Sequence, residues 1–232
     1  MRLDKFLVKC NIGSRTEVKA FIKKGFIRIG NEIAKKPETD IDENKDEIFF
    51  KGAKLIFKEF VYIILNKPAD VVTATTDNHD KTVMDLINPF PAKDLSPVGR
   101  LDKDTTGLLL ITNNGELAHN LLSPKKHVDK TYLVKPDHEL SDDDLKKLRE
   151  GVDIGDDKPT MPAKLSLNDD GTLLLTIHEG RFHQVKRMLE AVGNKVIELK
   201  RVSFGGLTLP DDLKEGDWRE LTEDEIQKII LR

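Results

Sequence analysis

Apolar positions recur along the first part of the chain with two different periods. Leu3, Phe6, Leu7 and Cys10 stand at i, i+3, i+4 and i+7, which places them on one face of a short helix. Ser14, with Glu17 three residues on, has the spacing of a capping box, and it opens a second helix that buries Val18, Phe21 and Ile22. Gly25 ends that helix. The period then shortens to two: residues 26–29, the turn pair Gly30-Asn31 and residues 32–34 predict a short hairpin. Residues 37–59 mix charges with Pro37 and Gly52 and predict one last strand plus a linker. From residue 60 onward, short apolar runs alternate with turns. The pattern predicts strands at 61–65, 108–112, 131–134, 163–167, 173–177 and 196–201, with Asp170-Gly171 as a hairpin turn. Helices are predicted over 82–87, 115–122, 141–150, 183–192 and 222–230. Strands joined by hairpins, with helices between them, define an α+β class around a largely antiparallel sheet.

Composition adds a division of charge. The 232 residues carry a formal charge of −3, with 38% hydrophobic and 34% charged residues. Residues 1–36 hold ten Lys/Arg against three Asp/Glu, a balance of +7, so the remainder carries −10. Arg2, Lys5 and Lys9 follow helical spacing on the first helix, and Arg15, Lys19 and Lys23 on the second. With Lys24 and Arg28 they form two neighbouring cationic stripes, able to track phosphates, that exceed an ordinary solvated face. A basic binding module joined to an acidic body is expected. Cys10 is the single cysteine, which excludes an intrachain disulfide. Neither a signal peptide nor a run of about 18 apolar residues is present, so a cytosolic chain that does not enter membranes is expected.

Several chemistries lack their motifs. Neither standard glycine-rich phosphate loop occurs, the six histidines lack zinc-type spacing, and there is no Gly-x-Ser-x-Gly elbow. No metal and no cofactor are expected. One segment remains, Gly99-Arg100-Leu101-Asp102-Lys103-Asp104-Thr105-Thr106-Gly107 leading into Leu108. An aspartate among cations in a glycine-flanked loop can project into a cleft, or can be an ordinary turn residue.

The motifs on either side carry a resemblance. Arg2-Leu3-Asp4-Lys5-Phe6-Leu7, Ser14-Arg15 and Gly25-Phe26-Ile27-Arg28-Ile29-Gly30 resemble the S4 domain, an RNA-binding module, over residues 1–58. Residues 99–118, Lys130-Thr131-Tyr132-Leu133-Val134, Glu179-Gly180-Arg181-Phe182-His183-Gln184-Val185-Lys186-Arg187-Met188 and Asn66-Lys67-Pro68 are similar to the motifs of pseudouridine synthases, over 60–232. With the S4-like start and short C-terminus, the chain resembles the RsuA family. Asp70 departs from the pattern, standing where many relatives carry glycine.

That resemblance implies a small S4-like domain followed by a synthase domain with a mixed sheet and flanking helices. It implies isomerisation of a uridine in 16S rRNA, within a small-subunit assembly intermediate, by a monomeric enzyme. The other readings are a 23S rRNA synthase and a non-catalytic assembly factor. Breaking the N1–C1′ bond and rejoining the uracil through C5 oxidises nothing and requires no cofactor. Asp102 is implied as the catalytic carboxylate, as nucleophile or base. Lys186 is its implied cationic partner, since a carboxylate in a dry pocket needs one to stay ionised. Lys186 lies off the apolar stripe Val185-Met188-Leu189, facing either cleft or solvent. Tyr132 is implied to stack on the uracil and relay the C5 proton. Arg100 is implied to fill the space of a flipped base, and Arg181, Gln184 and Arg187 to contact RNA.

Overall fold

The computed structural model describes residues 1–88 and 94–230, and two compact units divide it. The first is built on Met1–Val61; the second runs Tyr62–Asn88 and resumes at Ser96. Residues 89–93 and 231–232 of the expected 60–232 domain lie outside the described residues.

In the first unit, α1 (Leu3–Lys9) buries Leu3, Phe6 and Leu7, each burial stabilising by about 1.5–3 kcal/mol. Helix α2 (Arg15–Lys23) begins with the expected box: the Glu17 N–H donates to the Ser14 hydroxyl, and the Ser14 N–H donates to the Glu17 carboxylate. Val18 and Ile22 face the same core. Cys10 packs half-buried beside it, and burial pushes its thiol pKa up to about 11, which makes it a packing residue. Strands β1 (Ile27–Ile29), β2 (Glu32–Ile33), β3 (Ile48–Phe50) and β4 (Ala53–Leu55) form an antiparallel sheet ordered β2-β1-β3-β4. The sequence pattern predicts only one strand within 37–59. Two form because Lys51 and Gly52 both take positive φ, 50° and 89°, the geometry of a tight two-residue hairpin turn. A lysine at the first turn position gives no sequence signal for it.

The second unit is a mixed sheet. Its strands are β5 (Tyr62–Lys67), β6 (Ser96–Pro97), β7 (Thr106–Thr112), β8 (Lys130–Pro136), β9 (Lys164–Leu167), β10 (Leu173–Ile177), β11 (Val196–Phe204), β12 (Leu207–Thr208) and β13 (Trp218–Glu220). The order is β13-β5-β7-β11-β8-β10-β9, with β6 beside β7 and β12 beside β11. Every described pairing in it is antiparallel except β7 with β11. This is the α+β fold expected, and the hairpin at Asp170-Gly171 joins β9 to β10. The short strands β6, β12 and β13 escape the pattern. Two or three residues do not establish a period.

Strand β5 is buried throughout and β7 nearly so, as befits strands covered on both faces. Strands β8 and β10 alternate, with Lys130, Tyr132 and Val134 turned inward on β8. Of the helices, α3 (Val83–Leu86) and α5 (Asp142–Glu150) carry reciprocal caps at Thr82 and Ser141. Helices α4 (Gly115–Leu122) and α7 (Glu223–Ile230) place Leu117, Leu121 and Ile229 in one core with Ile64, Leu108, Leu110 and Phe204. Helix α6 (Gln184–Ala191) buries Val185, Met188 and Leu189. At the parallel pairing, Gly107 lies opposite Arg201 with φ 101°, and a Cβ there would stand 2.3 Å from the Arg201 carbonyl oxygen. Only glycine admits that approach. No described helix is long and apolar enough to cross a membrane.

Candidate active site

The loop between Leu101 and Thr105 enters β7, and it is held from several sides. Leu101 is buried; its N–H donates to the Thr73 hydroxyl (3.2 Å), which donates back to the Leu101 carbonyl (2.8 Å). The Asp70 N–H donates to the Lys103 carbonyl at 2.9 Å. Asp70 adopts φ 63°, the left-handed turn for which a glycine would serve. Beneath the loop, Lys67 is fully buried, and its ammonium donates to the carbonyls of Pro68, Lys103 and Thr105 at 3.0, 3.1 and 2.9 Å. Burial pushes its pKa down to about 8, against the opposing pull of Asp104, Asp102 and Asp70. Nothing in Asn66-Lys67-Pro68 announces from sequence that this lysine is buried. Here it clamps the loop.

The Asp102 side chain is about one-third exposed (32%), with Lys186 Nζ 3.3 Å from one oxygen and His183 Nε2 3.5 Å from the other. Lys186 thus faces the cleft, and it has a second carboxylate that sequence reasoning missed. Its ammonium donates to both Asp104 oxygens, at 2.6 and 2.8 Å. Burial alone would lower the Lys186 pKa, but Asp104 and Asp102 raise it overall. Burial would raise that of Asp104, but Lys186 holds it down. His183 was likewise missed: it takes the left-handed conformation (φ 47°) as the N-cap of α6, outside the helix predicted to include it.

Across the cleft, Tyr132 on β8 is 9% exposed and lines the same space as Asp102. Arg201 lies directly opposite it on β11, and Phe204 lies opposite Lys130. Arg201 is buried, and its Nε donates to the Leu108 carbonyl (2.8 Å); among the described residues it has no carboxylate partner, and one terminal nitrogen has no hydrogen-bond partner. Burial lowers its pKa, opposed by the Tyr132 side chain. Ile177, Val185 and Leu199 add an apolar wall beside Asp102 and Tyr132. The whole cleft measures about 1040 Å³ and is open to an exposed Arg100 at its edge. A space of this size can enclose a nucleoside, with a carboxylate, a flat ring and buried cations around it.

The other expected RNA contacts divide. Lys5, Lys9, Arg15, Lys19, Lys23 and Lys24 of the first unit are exposed, whereas Arg28 is half-buried against the Phe49 ring, 4.9 Å from its centroid. Arg2 is exposed but paired with Asp4 at 2.7 Å. In the third motif the three expected RNA contacts also have partners within the chain. Arg181 binds Glu179 (2.6 Å) and the carbonyls of Lys158 and Pro159. Arg187 binds Asp156 and the carbonyls of Ile154 and Phe182. Gln184 is 4% exposed, donating to Glu179 and accepting from the Arg181 N–H. These polar groups fasten the 154–161 segment to the start of α6, and Arg181 also lines the cleft.

The loop that enters β7 thus sets the Asp102 carboxylate in a cleft of nucleoside size within an α+β sheet, as an enzyme that modifies a nucleoside requires. The chain belongs to the RNA pseudouridylate synthase family, whose model matches residues 61–191, and an S4 domain model matches residues 1–47. It is 40% identical over 233 residues to ribosomal small subunit pseudouridine synthase A of Haemophilus influenzae, covering 99% of this chain and 100% of that one. It is 46% identical to an uncharacterized RNA pseudouridine synthase of Bacillus subtilis, with 97% of each chain covered. A crystal structure of a pseudouridylate synthase, 39% identical, superposes with a TM-score of 0.71 over 99% of this chain and 100% of the other. The chain is an RNA pseudouridine synthase of the RsuA type.

Proposed function

We propose that the chain converts one uridine of 16S rRNA to pseudouridine in the small ribosomal subunit, with Asp102 as the catalytic carboxylate. The observation that carries this reading is the meeting of Asp102, Lys186 and Tyr132 around one cleft. Full-length relatives in Haemophilus influenzae and Escherichia coli bear the small-subunit name, at 40% and 38% identity, which favours 16S over 23S rRNA.

In this reading the target uridine leaves its stack and enters the cleft, at a cost of a few kcal/mol. Arg100, exposed at the rim, takes the space it vacates. Asp102 attacks C1′ of the ribose, or removes the C2′ proton and returns it when C5 adds; either route breaks the N1–C1′ bond and releases the uracil within the pocket. Lys186, with its ammonium 3.3 Å away, holds the Asp102 carboxylate in position. Tyr132 holds the detached ring by its face, and its hydroxyl relays the C5 proton once C5 has joined C1′, handing its own on as it accepts. The proton gained at N1 balances the one lost from C5. The exposed lysines and arginines of residues 1–58 bind flanking phosphates as an S4-type module, and the chain acts as a monomer in the cytosol.

Loss of the C5 proton gives the assay: release of tritium from RNA labelled at uridine C5. The purified Asp102→Asn chain is expected to bind 16S rRNA and release none, because an amide of nearly the same shape is neither nucleophile nor base. Release near the wild-type rate would remove Asp102 from the mechanism. Mapping pseudouridines in cells without the protein decides between 16S and 23S rRNA.

A further inference from the structure

Exposed large apolar side chains are few in the second unit. Among its described residues they are Leu122, Met161, Leu167, Phe182, Ile197 and Ile230. Three of them, Leu122, Met161 and Phe182, line the cleft that contains Asp102. Apolar residues scattered over a surface need no explanation, but a group on the rim of one cleft marks a contact site. Phe182 is the extreme case, 76% exposed.

Its ring is also held in place. One face lies on the His183 imidazole, with centroids 3.8 Å apart and planes inclined by 17°. The Phe182 carbonyl accepts from Arg187 at 3.0 Å, and Arg187 is in turn fixed by Asp156. The backbone is therefore tied down on both sides while most of the ring stays open to solvent. Cations stand along the same cleft: Arg100 and Lys125 are exposed, and Lys130 is buried. Flat rings interspersed with cations are how single-stranded nucleic acid is gripped, because every base offers a π-face and every linkage a phosphate.

We propose that Phe182 is a stacking platform for a nucleobase of the RNA strand beside the target uridine. The inference rests on the function proposed above and adds a specificity element to it. A neighbour stacked on Phe182 has left its own helical stack, so the favoured substrate is a locally unpaired segment. Stacking also offsets part of the cost of extracting the uridine. Leu122 and Met161 complete the apolar rim against which the displaced base rests.

The test uses the full chain and the rRNA on which it forms pseudouridine, whichever that is. Phe182→Ala is expected to raise KM at least about fivefold, the lower end for loss of a stacked base, with kcat within about twofold. Phe182→Trp should restore KM. Replacing the contacted flanking nucleotide with an abasic one should weaken wild-type binding comparably and add little to Phe182→Ala, a non-additivity that marks direct contact. Additive losses at every flanking position overturn the platform. A lower kcat with unchanged KM overturns it too, because Phe182 would then act only by supporting His183 beside Asp102. If no rRNA is converted at all, the proposed reaction fails first and the platform fails with it; conversion with unchanged KM sinks the platform alone.

Discussion

Lys186→Met removes the cation that stands between two carboxylates and keeps the length of the side chain. At 3.3 Å from Asp102 the attraction is about 5 kcal/mol for an effective dielectric of 20 and about 1 kcal/mol in bulk water. Asp102 is 32% exposed and Lys186 21%, so screening brings the value toward the lower end. A loss of about 2 kcal/mol, felt in the transition state, is a fall of roughly thirtyfold in kcat. The sign with pH follows from Lys186 itself: Asp104 and Asp102 raise its pKa, so its contribution, and with it the deficit, is present until pH rises through that raised value. Asp104→Asn provides the comparison. Its contacts with Lys186 are shorter, 2.6 and 2.8 Å, yet Asp104 is 70% exposed, so the pair is worth about 0–1 kcal/mol. Rates within a few-fold of wild type are expected for that variant, and Lys186→Arg should retain part of the activity. Single-turnover tritium release, followed from acid to alkaline pH, measures all three. A Lys186→Met profile that overlays the wild type, or equal deficits in Lys186→Met and Asp104→Asn, would refute the pairing with Asp102.

Tyr132→Phe keeps the flat ring and loses the hydroxyl; substrate affinity should hold while turnover slows, and full-speed turnover would confine Tyr132 to stacking. Deleting residues 1–58 leaves the second unit its own core, so it should fold, bind RNA weakly, and show a shallower fall of affinity with salt than the full chain; equal slopes count against the basic module. Arg219 and the Thr222 cap hold the Glu225 pKa down to about 2, so this group stabilises fully above its ordinary range near 4.5 and the contribution is lost as pH falls from there toward 2. Glu225→Gln should therefore cost about 1–2 kcal/mol at neutral pH, after discounting for the partly exposed Arg219, and nothing near pH 2; an equal cost at both, by denaturant unfolding, would contradict this.

Elements with a sustained period were legible in the sequence. The capping box at Ser14 and the alternation in β8 and β10 each leave a local signature that survives folding. Turns governed by backbone dihedrals were less so, as Lys51-Gly52 and the left-handed Asp70 show. Asp102 drew attention only through its motif, since an aspartate before a strand is commonplace. Its supporting residues come from elsewhere in the chain. Lys67 clamps the loop from β5 and Arg201 faces Tyr132 from β11, and neither position has a period or spacing that announces burial. The third motif shows the same limit: nothing in its spacing tells that Glu179 and Asp156 lie within reach of its cationic and amide side chains once the chain folds.

The parallel pairing of β7 with β11 has a consequence for timing. Arg201 hydrogen-bonds to Leu108 across 93 residues of chain, and Lys186 reaches Asp104 across 82. Every wall of the cleft therefore waits on contacts of long sequence separation, which form slowly because loop closure precedes their reward. The first unit draws its core from residues 1–57. During synthesis at about 5–20 residues per second, that unit is complete on the order of ten seconds before β11 has even been made. A nascent chain can thus grip its RNA well before it owns a pocket in which to alter it.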